Sequence, residues 1–167
     1  MSLEVSIRKA KLSDSKFLLK IHNESVKGKF INSIKVEKKN FNIWDKWFKN
    51  KLKSKNFILY IGKTGSQKEF GYVSFDEIIK RVFEVRIGNL PKFYGKGLGS
   101  LLLFKSLKKF LKLHQPKKVI SLVKKNNIRS SKCFLKNGFK KKKINVKKNI
   151  FSKKIDLKKD VYYELNI

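Results

Sequence analysis

Tyr94-Gly95-Lys96-Gly97-Leu98-Gly99-Ser100 is the stretch of this sequence best suited to chemistry. Glycines at alternate positions remove side chains, so backbone N–H groups can come close to a ligand. The residues before the stretch, Arg81 to Asn89, read as a strand. Those after it place Leu103, Leu107, Phe110 and Leu111 at helical spacing. A helix start presents unpaired N–H groups and a positive dipole end. Loop and helix together make a phosphate cradle, with Lys96 adding charge at the rim. It is not a P-loop, because no Gly-Lys-Ser/Thr triplet follows. It is a poor dinucleotide fingerprint, because the strand before it belongs to a hairpin series and no βαβ unit with a ribose-binding acid follows.

A second segment lies downstream, from Asn127 through Ser130 and Phe134 to Gly138-Phe139. By itself it reads as an Asn-capped helix over about Ile128 to Lys136, with Gly138 as its stop. Other groups able to do chemistry are few. The carboxylates on the central strands are Asp76, Glu77 and Glu84. The only histidines, His22 and His114, lie far apart with no carboxylate at ligand spacing, and Cys133 is the only cysteine. No internal disulfide and no structural metal are expected.

The remaining elements must position these groups. Leu3 to Arg8 reads as a strand, and Ser13 or Asp14 caps a helix that runs to about Asn23. Asn40 to Leu52 places Phe41, Trp44, Phe48 and Leu52 on one helical face. Asn56 to Lys63 and Phe70 to Phe75 form a hairpin about Thr64-Gly65. Pro116 forbids continuation of the helix behind the glycine loop. Lys118 to Val123 reads as a buried strand. Phe139 to Val146 and Val161 to Ile167 read as closing strands joined by a lysine-rich link. The fold class is mixed α/β (α+β), one domain with a largely antiparallel sheet flanked by helices.

Composition bounds the function. The chain has 167 residues and 41% apolar composition, enough for one core and too much for a disordered basic tail. No stretch is long and apolar enough to span a membrane, and the start does not read as a signal peptide. The formal charge is +31, from 43 basic and 12 acidic residues, yet the only arginines are Arg8, Arg81, Arg86 and Arg129. Base reading favours the planar fork of arginine. Lysine here is spread over every element, alongside abundant Asn and Ile, whose codons are also A/T-rich. Codon bias giving a lysine-coated surface therefore accounts for the charge better than a dedicated nucleic-acid face. The bias steepens from Lys117 to Asp160, with 17 basic and two acidic residues, a stretch able to attract any polyanion.

The glycine loop and the Asn127 segment, in this order and spacing, resemble the GNAT acetyltransferase superfamily. Pro91-Lys-Phe-Tyr94-Gly-Lys-Gly97-Leu-Gly99 is similar to its Pro-x-x-Arg/Gln-Gly-x-Gly-x-Gly/Ala loop, and Asn127 to Phe139 to its Asn-x-x-Ala/Ser…Tyr-x-Lys-x-Gly-Phe segment. The resemblance implies an acetyl-coenzyme A-dependent enzyme with a V-shaped splay between two strands. It implies that the backbone of Ile87, Gly88 and Asn89 pairs with the pantetheine arm and supplies an oxyanion N–H. The amides of Tyr94, Gly95, Lys96, Gly97, Leu98, Gly99 and Ser100 would hold the pyrophosphate. Asn127 would bond the cofactor near the pantetheine, and Phe134 would pack beside the thioester. Tyr94 departs from the usual Arg or Gln, and Phe134 from a tyrosine that protonates the leaving thiolate. Water, Cys133, Tyr162 or Tyr163 would take that role, or the thiolate would leave unassisted.

Glu84, on the strand leading to the loop, is the expected base, directly or through water. Asp76, His22 and Trp47 are the candidate contacts to the acceptor. The stretches Asn23-Glu24…Trp44…Trp47-Phe48, Gly71 to Asp76 and Phe83 to Val85 are similar to acetyltransferases of amino sugars on nucleotide carriers, of the pseudaminic-acid pathway type. A nucleotide-borne amino sugar is thus the expected substrate. The frame is shared with N-terminal acetyltransferases of ribosomal proteins, which is the alternative. A non-enzymatic nucleic-acid module ranks last. The expected setting is cytoplasmic, as monomer or homodimer, with no membrane or specific nucleic-acid partner.

Overall fold

The computed structural model describes residues 4–31, 33–143, 156 and 158–167. Its elements are β1 (Val5–Lys9), α1 (Ser15–Lys27), α2 (Phe41–Lys53), β2 (Phe57–Thr64), β3 (Glu69–Ile79), β4 (Val82–Asn89), α3 (Leu98–His114), β5 (Lys118–Lys124), α4 (Ile128–Lys136), β6 (Lys140–Lys142) and β7 (Asp160–Asn166). They form a seven-stranded sheet in the order β1-β2-β3-β4-β5-β7-β6. Every pairing is antiparallel except that of β4 with β5, which is parallel.

That one parallel pairing positions the site. β4 meets β5 only through Val82, Phe83 and Glu84, opposite Lys118, Val119 and Ile120. β3 follows β4 all the way to Asn89, while β7 follows β5 to Lys124. The strands therefore diverge after Glu84, and one backbone edge of β4 from Val85 to Asn89 is left without a strand neighbour among the described residues. Unpaired backbone groups demand another partner. The expected V-shaped splay is present.

One face of the sheet carries the larger core. The apolar stripe of α3 (Leu102, Leu103, Leu107 and Phe110) packs there on Phe75, Phe83 and Val85. The Phe110 ring stacks on Phe75 with centroids 3.9 Å apart and meets Phe83 edge-on at 4.9 Å. Such pairs add to simple burial. The opposite face carries a smaller core, where Leu18 of α1 and Phe48 of α2 pack on Leu59 and Ile61.

Four boundaries differ from the sequence reading, each for a local reason. β3 runs on to Ile79 rather than stopping at Phe75, because Asp76 and Glu77 pair with β4 and Lys51 holds the Asp76 carboxylate at 2.8 Å. Asp76 is thus a strand residue. The turn falls at Arg81, whose φ of 63° is left-handed and whose N–H donates to Glu77 at 2.7 Å. α1 continues to Lys27, because its stop is Gly28, whose N–H returns to the carbonyl of Glu24. α3 starts inside the glycine loop, with Gly97 at φ 74° as N-cap. The closing strand expected over Phe139 to Val146 is seen as Lys140–Lys142, with Phe139 and Lys143 outside it; residues 144–146 and most of the lysine-rich link fall outside the described residues, as does Leu3.

Candidate active site

Because α3 begins at Leu98, Gly99 and Ser100 stand in its first turn, where N–H groups have no helical partner. Gly95 has φ 75° and open space where a Cβ would lie. α4 is fixed beside this loop: the Asn137 amide donates to Ser100 at 3.1 Å. At the other end of α4, Asn127 caps the helix, its Oδ1 accepting from the Ser130 N–H at 3.2 Å. Between the loop, the start of α4 and the open edge of β4 lies a cavity of about 260 Å³.

Its walls bring together most of the sequence-chosen residues: Ile87, Gly88, Asn89, Tyr94, Gly95, Gly97, Gly99, Ser100 and Asn127. Lys96, Leu98 and Phe134 are not among them. Lys96 is exposed beside Phe93. Leu98 is a core residue. Phe134 is 1% exposed and packs on Phe139 and Tyr163, with centroids 5.0 and 6.0 Å away. The sequence reading missed Phe30, Ile31, Arg129, Lys132 and Lys136, which also line the cavity. The last three follow helical spacing along α4, so periodicity could have found that face.

Asn89 is the most telling residue of this cavity. A Cβ on Gly71 would fall 2.0 Å from Asn89 Oδ1, and one on Gly99 would fall 2.5 Å from Asn89 Nδ2. The two glycines thus make the slot that holds the amide. Asn89 Oδ1 is buried without a hydrogen-bond partner among the described residues. A buried polar atom in that state is costly unless a bound molecule supplies a donor. An amide-bearing arm lying in the splay would supply one, and the first-turn amides of α3 suit phosphate. The residues present fit coenzyme A. Gly99→Val is therefore expected to push the Asn89 amide out of its slot and weaken coenzyme A binding by tenfold or more in a calorimetric titration, with the helical content retained.

A second cavity, of about 540 Å³, lies on the sheet face that α1 and α2 cover. His22 and Trp47 line it as the sequence reading proposed, together with Trp44, Tyr72, Ser74, Lys51 and Arg86. His22, Trp44 and Trp47 form a row, with successive ring centroids 4.9 and 5.0 Å apart. Trp47 is 53% exposed, so a wide aromatic surface faces solvent. His22 Nε2 lies 3.1 Å from the Ile34 carbonyl oxygen. Asn23 exchanges two hydrogen bonds with the backbone of Val36, at 2.9 and 3.0 Å, and so latches the chain after α1 over this face. Ile31 belongs to the walls of both cavities.

Glu84 and Asp76 line neither cavity. Each sits behind a cation that does. Glu84 is 1% exposed and accepts a hydrogen bond from Arg86 Nη2. Burial disfavours the Arg86 cation, but the Glu84 carboxylate outweighs this and holds the guanidinium above its ordinary pKa. Asp76 holds Lys51. Arg86 was missed by the sequence reading, although it stands two residues from Glu84 on the same face of a strand.

The candidate proton donors separate. Cys133 lines the first cavity, but burial pushes its thiol up to about 12. It holds its proton more tightly than a coenzyme A thiol of pKa ~8.5, so transfer to the leaving thiolate runs uphill. Tyr162 and Tyr163 do not line the cavity, and the Tyr162 hydroxyl donates to Glu164 at 2.7 Å.

Residues 5–140 match the model of the acetyltransferase (GNAT) domain. The chain belongs to the GNAT acetyltransferase family. As a GNAT acetyltransferase it is an acyltransferase that uses acetyl-coenzyme A to acetylate an amine. No curated protein matches it in sequence. Solved structures share its fold. A domain from Methanocaldococcus jannaschii superposes with a TM-score of 0.74 at 23% identity, covering 99% of this chain and 100% of that one. Spermidine N-acetyltransferase from Vibrio cholerae, in complex with CoA and spermine, superposes with a TM-score of 0.77 at 17% identity, covering 96% and 93%. The same enzyme is also known as a dodecamer in an intermediate state, at a TM-score of 0.72 and 16% identity, covering 96% and 91%. No helix among the described residues is long and apolar enough to cross a membrane.

Proposed function

We propose that residues 1–167 act as one N-acetyltransferase domain, with acetyl-coenzyme A in the first cavity and the primary amine of a nucleotide-borne amino sugar in the second. The observation that carries the acceptor class is the lining of the second cavity. It presents Arg86, Lys51 and a row of aromatic rings, and no carboxylate among the described residues. An acceptor with a ring to stack and an anion to bond suits such walls. Spermine, which the Vibrio cholerae enzyme holds, is a polycation and needs the opposite lining. A peptide N-terminus needs an open groove, whereas here Asn23 latches the chain at Val36 across this face.

When bound, acetyl-coenzyme A supplies an activated acetyl thioester. The chain's residues do the rest. The open edge of β4, Ile87 to Asn89, would hold the arm and offer a backbone N–H to the carbonyl oxygen. The amides of the glycine loop and the first turn of α3 hold the pyrophosphate. Arg86, steadied by Glu84, binds the acceptor's anion. His22 would take the amine proton. Aligning amine and thioester supplies much of the acceleration.

The test has two steps. A thermal-shift titration with acetyl-coenzyme A runs beside a size-matched polyanion at moderate salt. Saturable stabilisation by the cofactor alone is expected. Thiol release is then followed with uridine-diphosphate amino sugars, spermidine and peptide N-termini as acceptors. Preferred turnover of spermidine or of a peptide would refute the acceptor assignment; equal shifts from cofactor and control would refute the cofactor site.

A further inference from the structure

Arg129 holds an unusual position on the wall of the first cavity. Its guanidinium carbon lies 4.2 Å from the centroid of the Tyr94 ring and 5.1 Å from that of Phe30. The three residues come from separate parts of the chain: the glycine loop, the turn after α1 and the first turns of α4. All three line the cavity. Burial raises the Tyr94 hydroxyl pKa, with Arg129 opposing.

Both aromatic partners are held in place. Phe30 folds back because Lys29 adopts a left-handed φ of 56° and the Phe30 N–H donates to Ser25 at 3.0 Å. A Cβ on Gly28 would fall 2.3 Å from the Phe30 ring, so the ring rests on the glycine backbone. Tyr94 is fixed by its N–H donating to the Pro91 carbonyl at 2.9 Å. Ring faces attract the flat cation but leave the hydrogen-bonding capacity of its N–H groups unspent. None of those N–H groups has a hydrogen-bond partner among the described residues. Lys132 and Lys136 stand further along the same face of α4 and line the same cavity.

We propose that Arg129, gripped by Tyr94 and Phe30, binds the phosphates of the cofactor's nucleotide end and acts as a positioning clamp across the cavity. This rests on the cofactor reading above. The loop at Tyr94 supplies backbone donors but no cation that lines the cavity; α4 brings the cation from the opposite wall. The stack removes much of the freedom that a long side chain loses on binding.

The experiment is calorimetric titration of coenzyme A into the full chain and its variants at two ionic strengths. Lys108→Ala, an exposed residue of α3 outside both cavities, controls for the loss of one charge. Arg129→Ala is expected to weaken coenzyme A binding about ten- to a hundredfold and to make it less sensitive to salt. Arg129→Lys keeps the charge without the fork and is expected to fall between. Gly28→Ala displaces Phe30 without touching Arg129 and is expected to cost several-fold. Affinity of Arg129→Ala within twofold of Lys108→Ala would overturn the clamp while leaving the cofactor site standing. Absence of binding by the wild-type chain would overturn the cofactor reading, and the clamp with it. Should Arg129→Ala unfold, Arg129→Lys and Gly28→Ala decide: wild-type affinity in both overturns the clamp.

Discussion

Replacing Arg86 by alanine is expected to destabilise the protein by about 2–3 kcal/mol and to raise the KM for the acceptor more than that for acetyl-coenzyme A. The Glu84 side chain is fully buried, while 40% of the Arg86 side chain is exposed. Removing one partner of a buried pair costs about 3–5 kcal/mol, because the remaining charge loses its counter-charge in a poor solvent. The partial exposure of Arg86 lets water reach the site and places the effect below that range. The mechanism is checked by a second substitution. Arg86→Ala with Glu84→Gln removes the buried carboxylate charge as well, so urea unfolding is expected to show recovery of part of the loss. A double variant no more stable than Arg86→Ala would mean that the Arg86 guanidinium supports the fold by packing alone. The kinetic half is independent. If Arg86 binds the acceptor's anion, Arg86→Lys keeps some acceptor affinity and Arg86→Ala loses it.

The sequence made the cofactor side of this enzyme legible for a definite reason. Backbone does the binding there, and glycines that open backbone leave a mark in the sequence. Gly97 and Gly99 pointed to the helix start, and Asn127 to the cap beside it. The order of elements was legible too, because Leu103, Leu107 and Phe110 follow helical spacing and Phe70 to Phe75 follows strand spacing. What the sequence hid depends on distance in space. Phe30 and Arg129 are about a hundred residues apart and meet only after α1 and α4 are set on either side of the splay. Gly71 looked like an ordinary strand glycine until Asn89 was found lying over it. Asp76 and Glu84 looked like chemistry because carboxylates are scarce in so basic a chain. In the fold each sits behind a lysine or arginine, and the cation is what faces the cavity. A lone charged residue read from sequence shows only that charge is needed nearby, not which member of the pair faces the substrate.

His22→Gln is expected to lower kcat about a hundredfold, the scale of one positioned proton acceptor. The KM for acetyl-coenzyme A is expected to stay unchanged, since His22 lies outside the first cavity. The geometry assigns the role. A carbonyl oxygen only accepts, so the bond between His22 Nε2 and the Ile34 oxygen places the proton on Nε2. The neutral ring then keeps Nδ1 as an acceptor. Once Nδ1 takes a proton, both nitrogens donate and the Ile34 bond survives. Chemical rescue separates this from a structural effect. His22→Ala leaves the space of the ring empty, so added imidazole is expected to restore part of its kcat, which a merely structural role would not allow. Glu84→Gln provides the contrast. It loosens Arg86 and is expected to raise the acceptor KM while keeping kcat within a few-fold. If instead Glu84→Gln lowers kcat about a hundredfold and His22→Gln does not, the proton goes to Glu84, through water across the Arg86 pair.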